Sequence, residues 1–277
     1  STTLDRDREA ISAIGQFETL DGDLVMTLEY LRSETSFATE EFALLGRIDD
    51  GVSTNQPRPG TNFEFDENGN FVDSHHILLL LVHYLHKYKG LNGKVVIAFS
   101  VSNKIKKLCK AYGLEVEVTK IGFKYISEIM VKEDVLVGGE ESGGIAVKGH
   151  IPERDGIWVG LIIWEFMAKS GKSLDELIDE VYEIVGPFKF ERNDLHITEE
   201  LKQKIIANCK ADNYKSFGKY QVREVQTIDG FKYFFDDERW VMIRPSGTEP
   251  VLRTYAEAPT LAEVREILEA TATAICN

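Results

Sequence analysis

The run Arg244-Pro245-Ser246-Gly247-Thr248-Glu249-Pro250, with Arg253 three places on, assembles donors that suit a phosphate. Arg244 offers a planar fork that can bond two phosphate oxygens at once. Ser246 and Thr248 add hydroxyl donors. Gly247 lets the backbone approach closely and turn its N–H groups inward as an anion nest. Pro245 and Pro250 stiffen both ends, which lowers the ordering cost of binding. The same composition also fits an ordinary hairpin whose arginine is solvated.

A second run, Gly138-Gly139-Glu140-Glu141-Ser142-Gly143-Gly144, sets four glycines around two carboxylates and a hydroxyl. Such a loop costs backbone entropy without burying apolar area, so ligand contact explains it better than folding does. Carboxylates and a serine hydroxyl suit sugar hydroxyls; the alternative is a flexible acidic turn. A metal is a weaker reading, because Glu140 and Glu141 are sequence neighbours with no third ligand near. Lys124, in Gly122-Phe123-Lys124, is either a ligand contact or a solvated surface charge. In Gly149-His150-Ile151-Pro152-Glu153-Arg154-Asp155-Gly156, His150 and Arg154 could reach a phosphate or sit on a surface loop.

Strand–helix alternation must hold these loops in place. From residue 62 onward, Asn68-Gly69 between Phe63–Phe65 and Phe71–Val72 signals a hairpin. Apolar periodicity predicts a helix from Ser74 to Lys87, with Ser74 as N-cap. The run Ile77–Val82 falls within it as a buried turn and a half. A buried strand is expected at Val95–Phe99 and a helix at Lys104–Tyr112, closed by Gly113. Strand Glu115–Thr119, helix Phe123–Val131, strand Val135–Val137 and helix Asp155–Lys169, with Asp155 a natural N-cap, follow. The alternation implies βαβ units and a mostly parallel sheet. Both the Gly122 turn and the acidic loop fall beyond strand ends, where ligands lie in open α/β sheets. Ser173–Val185 is a further helix with a Ser173/Glu176 capping box.

After the break at Gly186-Pro187 a second unit is expected. Strand Phe188–Arg192 and helix Thr198–Ala211, capped by Thr198, precede a hairpin of Gln221–Ile228 and Lys232–Phe235 around Asp229-Gly230. Strands Trp240–Arg244 and Leu252–Ala258 bracket the phosphate-type loop, and helix Thr260–Ile275 ends the order. This is an α/β mixed-sheet domain followed by an α+β domain, with the boundary at about 171–187. The first 60 residues read poorly. Asp23–Arg32 has helical spacing, Phe42–Ile48 fits a short strand, and Asp49–Gly60 is a loop.

Length and charge narrow the partners. The 277 residues are enough for two cores. No apolar run reaches the ~18–20 residues of a membrane span, and Ser1–Glu9 is polar, so no secretory signal is expected. Cys109, Cys209 and Cys276 are scattered, without disulfide or zinc spacing; reduced thiols and a cytoplasmic location are expected. A net charge of −14 disfavours nucleic acid and anionic membranes. It leaves a small anion possible, since distant charge is screened beyond roughly 8 Å at physiological salt.

At these residues the sequence resembles the α-D-phosphohexomutases, the phosphoglucomutase/phosphomannomutase family. RPSGTEP with Arg253 resembles the phosphate loop of their last domain, and GGEESGG the sugar loop of their third. GFKYI (Gly122–Ile126), DENGNF (Asp66–Phe71) and GHIPERDGI (Gly149–Ile157) follow the family's order. The likeness covers about residues 62–277. It implies transfer of a phosphate between O1 and O6 of a hexose through a bisphosphate, with a phosphoserine donor and Mg²⁺ polarising the transferring group. By motif, Glu140, Ser142 and Lys124 contact the sugar. Arg244, Ser246, Gly247, Thr248 and Arg253 hold the distal phosphate, and His150 and Arg154 are possible contacts. The implied partners are glucose or mannose 1- or 6-phosphate and the 1,6-bisphosphate.

The sequence departs from the family in two places. The Thr-x-Ser-His-Asn-Pro loop that carries the nucleophile is absent. The Asp-x-Asp-x-Asp-Arg metal loop has no counterpart either: its place holds Asp49-Asp50-Gly51 and then Val52–Gly60. The nearest imitation, Asp21-Gly22-Asp23, lacks the third aspartate and the arginine, so no Mg²⁺ ligand set is expected. Ser36, Ser53 and Thr54 have no adjacent base to activate them. The expected organisation is a partial second domain or linker over 1–60, a sugar-binding domain over 61–175 and a phosphate-binding domain over 186–277. Taken alone, the chain is expected to be the binding portion of a phosphohexomutase without its nucleophile. The alternative is a non-catalytic sugar-phosphate-binding or regulatory module.

Overall fold

The computed structural model describes the backbone of residues 2–5, 8–19, 22–33, 64–65 and 71–72, and backbone with side chains over 72–246 and 251–276. Asp21, Ser36, Phe42–Ile48, Asp49–Gly60, Ser53, Thr54, Gly247 and Thr248 lie outside the described residues.

The N-terminal stretch corrects one expectation. Strands β1 (Thr2–Asp5), β2 (Arg8–Thr19) and β3 (Gly22–Ser33) form an antiparallel sheet in sequence order. The segment Asp23–Arg32, expected to be a helix, is strand. Its apolar residues satisfy a helical period, but Leu24, Met26, Leu28 and Tyr30 also satisfy a period of two. Unbroken pairing from Thr19↔Gly22 to Arg8↔Ser33 decides for the strand, as tertiary pairing does when local patterns are ambiguous.

β4 (Glu64–Phe65) and β5 (Phe71–Val72) pair antiparallel across the Asn-Gly segment. Helix α1 (Ser74–His83) follows, and all ten of its side chains are buried. Its N-cap is Asp73 and not Ser74. The Asp73 carboxylate accepts from the His75 and His76 N–H groups at 3.0 Å each, so a stronger acceptor one residue earlier takes the cap. The predicted continuation to Lys87 is a π-helical turn, Tyr84–Tyr88.

The first sheet contains β6 (Lys94–Ala98), β7 (Val116–Thr119), β8 (Val135–Gly139) and β9 (Ile145–Val147), in the order β7-β6-β8-β9. β6 pairs parallel with β7 and β8, while β9 runs antiparallel to β8. Helices α2 (Lys104–Tyr112), α4 (Gly156–Ser170) and α5 (Leu174–Val185) pack with α1 into one core; α3 (Phe123–Met130) covers Val96 and Val135 in another. The helix signals act as the sequence predicts. Gly113 closes α2 in the left-handed region, Asp155 caps α4, and Ser173 with Glu176 forms the capping box of α5.

The second sheet is wholly antiparallel, β10-β16-β15-β14-β13. Its strands are β10 (Lys189–His196), β13 (Glu224–Gln226), β14 (Phe231–Phe234), β15 (Trp240–Pro245) and β16 (Val251–Ala258). The predicted hairpin around Asp229-Gly230 is β13–β14. Gln221 belongs instead to a small separate hairpin of β11 (Ser216–Phe217) and β12 (Tyr220–Gln221). Helices α6 (Glu199–Lys210) and α7 (Leu261–Cys276) cover one face. The other face turns toward the first unit through Phe234, Trp240, Met242 and Tyr255, which meet Phe99 at the end of β6. Burying side chains of this size stabilises by roughly 1.5–3 kcal/mol each, which holds the two units against one another. Among the described residues, no helix is long and apolar enough to cross a membrane.

Candidate functional site

Three loops leave the carboxyl ends of adjacent parallel strands β6, β7 and β8. The acidic loop is shorter than the sequence suggests, because Gly138 and Gly139 belong to β8. Both stay small for packing reasons. A Cβ on Gly138 would meet Ile126 Cγ2 at 2.5 Å, and one on Gly139 would meet Leu78 Cδ2 at 2.4 Å. The remaining residues make the tip of the β8–β9 hairpin, where the Glu140 N–H donates to the Gly144 carbonyl at 3.0 Å and the Gly143 N–H to the Glu140 carbonyl at 3.2 Å.

Glu140 is 6% exposed. Its Oε1 accepts the Gly122 N–H at 2.8 Å, which ties the acidic loop to the start of α3. Burial and then the Glu141 charge push its carboxyl above the usual glutamate range. The Gly122 hydrogen bond and the charges of Arg154 and Arg244 oppose them. A guanidinium of the second unit therefore acts on a carboxylate of the first. Glu141 accepts a hydrogen bond from the buried Ser100 hydroxyl. Ser142 is exposed at the tip.

Lys124 projects from the first turn of α3, exposed, with Nζ 4.8 Å from the Tyr125 ring centroid. Arg154 lies over the Phe123 ring at 5.4 Å, and a Cβ on Gly144 would meet its Cδ at 2.7 Å. It thus borders both the acidic loop and the Lys124 turn. His150 turns the other way. Its Nε2 is 2.8 Å from Asp155 Oδ2, and its ring stacks on Trp158. It braces the N-terminus of α4.

In the second unit, strand register groups the cations. Arg244 on β15 is opposite Arg253 on β16, and Arg253 is opposite Asp194 on β10. Arg192 lies two residues before Asp194, on the same face. Its Nε is 3.1 Å from Asp194 Oδ1, and the Arg253 Nε is 3.8 Å from Asp194 Oδ2. Arg244 donates from Nη2 to Asp229 Oδ2 at 3.3 Å. The same oxygen accepts the Ile121 N–H of the first unit at 2.9 Å. The Arg244 Nε is buried with no hydrogen-bond partner among the described residues. Ser246 is buried, and its backbone is fixed at both polar groups: its N–H donates to the Val251 carbonyl at 2.9 Å, and its carbonyl accepts from Lys202 Nζ at 2.9 Å.

Glu140 is thus linked to Arg244 through Gly122, Ile121 and Asp229, Arg154 and Glu140 both border Gly144, and Arg253 lies beside Arg244. Sequence reasoning missed Arg192, Asp229 and Ser100. Arg192 could have been found by its period-two spacing from Asp194 on a strand facing β16. Asp229 looked like a turn residue, and Ser100 carried no signal. Among the described residues no group of three or more His, Cys, Asp or Glu side chains could hold a metal ion.

An α/β/α unit that carries an acidic hairpin is joined here to an antiparallel α+β unit that carries an arginine cluster, and this pairing of folds has known relatives. Residues 73–185 match the model for "Phosphoglucomutase/phosphomannomutase, alpha/beta/alpha domain III", and residues 198–274 match that for the C-terminal domain. The chain belongs to the phosphoglucomutase/phosphomannomutase family, of which it contains domains III and IV. It is 32% identical over 204 residues to a phosphoglucomutase/phosphomannomutase of Thermococcus kodakarensis, covering 74% of this chain and 42% of that protein. It is 30% identical over 232 residues to a phosphoglucosamine mutase of Carboxydothermus hydrogenoformans, covering 83% and 46%. The crystal structure of a putative phosphomannomutase from Thermus thermophilus superposes with a TM-score of 0.66 at 30% identity, covering 79% of this chain and 44% of that one. The chain spans less than half the length of these relatives.

Proposed function

We propose that this chain is the sugar-phosphate-binding portion of a phosphohexomutase. The observation that carries the proposal is the run of hydrogen bonds that ties Arg244, in the second unit, to the buried Glu140 of the first: Arg244 and the Ile121 N–H share Asp229 Oδ2, and the adjacent Gly122 N–H donates to Glu140. A phosphate and a sugar ring on one small molecule need a cation cluster and a hydroxyl acceptor side by side. In this reading Glu140 and Ser142 accept and donate hydrogen bonds to ring hydroxyls, with Lys124 as a further contact. Arg244 and Arg253 neutralise the phosphate that is not reacting, and Ser246, Gly247 and Thr248 enclose it. Arg154 is a further contact on the sugar side, whereas the pairing of His150 with Asp155 supports a bracing role for that residue.

The substrate class is a hexose 1- or 6-phosphate and the 1,6-bisphosphate. The relatives' names, phosphoglucomutase/phosphomannomutase and phosphoglucosamine mutase, share that class. Transfer between O1 and O6 would use a phosphoserine, and the sequence contains no Thr-x-Ser-His-Asn-Pro run. This chain therefore binds and orients, and phosphate transfer belongs to the portion of the family's enzymes that it does not match, as does Mg²⁺. Glu140→Gln tests the division of labour. It weakens binding of glucose 1,6-bisphosphate and spares inorganic phosphate; equal losses for both ligands would remove Glu140 from the sugar side.

A further inference from the structure

Lys232 is the least expected residue of the second sheet. It lies in the alternating run Phe231-Lys232-Tyr233-Phe234-Phe235, on the face that carries Phe234, and it is 2% exposed. Its Nζ sits 3.6 Å from the Trp240 ring centroid. It donates to the carbonyls of Phe99 at 3.3 Å and Val101 at 3.2 Å. Both acceptors belong to the first unit, at the carboxyl end of β6. Between them stands Ser100, whose buried hydroxyl donates to Glu141 of the acidic loop. One ammonium therefore holds the carbonyls of both residues that flank the serine, and the serine holds the loop.

Burying a lysine is costly, and burial holds this ammonium well below the usual lysine range against the opposing charge of the buried Glu257. An unbranched apolar side chain would pack on Trp240 without that penalty. Beyond its charge opposite Glu257 and its place over Trp240, the ammonium supplies a pair of directed bonds to the turn. We propose that Lys232 is a positioning residue, through which the second unit sets the geometry of the acidic loop by way of the 99–101 turn and Ser100. This rests on the loop's role proposed above, and it makes the two halves of the site interdependent: the sheet that carries Arg244 also fixes the loop that carries Glu140 and Glu141.

The test compares three proteins with wild type: Lys232→Met combined with Glu257→Gln, which keeps the interior neutral; Ser100→Ala; and the triple variant. Amide hydrogen exchange is read at residues 140–144 and, as control, at Val241–Ile243 of β15. Loop exchange rises by ~3–30-fold in each variant while the β15 amides are unchanged. The triple variant is no worse than the more severe parent, because both lesions cut the same chain of contacts. Binding of glucose 1,6-bisphosphate weakens by a similar factor and inorganic phosphate binding is retained. Unchanged loop exchange in either parent overturns the proposal. So does a rise shared equally by β15, or full additivity in the triple variant. If the lysine variant fails to fold, Ser100→Ala alone decides. Loop protection is read without ligand, so wild-type protein that binds no sugar phosphate would sink the functional reading and leave this test intact.

Discussion

Asp229 Oδ2 accepts the Arg244 Nη2–H at 3.3 Å while also accepting the Ile121 N–H at 2.9 Å. One carboxylate oxygen thus orients Arg244 and anchors it to the turn that leads to Lys124. Asp229→Asn keeps the shape and weakens both bonds. It lowers affinity for sugar phosphate by the ~0.5–1.5 kcal/mol of a hydrogen bond, without the larger loss expected on removing Arg244. Titration calorimetry on the two variants separates orientation from direct contact; a loss as large as that of Arg244→Ala would make Asp229 itself part of the binding surface.

The raised carboxyl of Glu140 gives a pH signature. The folded state holds that proton more tightly than the unfolded state, whose glutamate value is 4.5. The native chain therefore loses stability as pH climbs from there through the raised value. Glu140→Gln removes this slope, which urea denaturation at a series of pH values reads directly. Sugar binding runs the opposite way, because the carboxylate is the better acceptor, so wild-type affinity rises over the same interval. The ligand's own ionisation near pH ~6 is common to both proteins, so the ratio of wild-type to Glu140→Gln affinity isolates Glu140. A flat ratio would contradict the carboxylate's role.

Packing fixes the strand beneath the loop. A methyl on Gly139 collides with Leu78 of the fully buried α1. Gly139→Ala should therefore destabilise by the ~1–3 kcal/mol typical of overpacking. Thermal unfolding checks this, and in a double-mutant cycle with Leu78→Ala the combined loss should be less than the sum of the separate losses. An unchanged midpoint in the single variant would show that the helix and strand separate at little cost.

Much of this architecture was legible because local signals and tertiary packing agree over residues 74–276. Gly113, Asp155, Ser173 with Glu176, and Thr198 cap helices where the sequence puts them. The failures have physical causes. Asp23–Arg32 satisfies two periodicities, and only its pairing with β2 selects one. Gly138 and Gly139 looked like loop residues because a glycine required by a neighbour's side chain is indistinguishable, in sequence, from one required by a turn. The same limit hid Asp229, Lys232 and Ser100. Asp229 and Lys232 matter through partners in the other unit and Ser100 through Glu141 of a distant loop, and no local pattern encodes a contact between Lys232 and a carbonyl more than a hundred positions away. The arginine and acidic loops were visible because their chemistry is concentrated within seven residues each.

The most direct test of the central claim is calorimetric titration of glucose 1,6-bisphosphate into this chain and into Arg244→Ala. The account predicts saturable binding by the wild-type chain, weakened by ~1.5–3 kcal/mol in the variant as a charge-assisted bond is lost. No binding by the wild-type chain, or binding undiminished in Arg244→Ala, would contradict it.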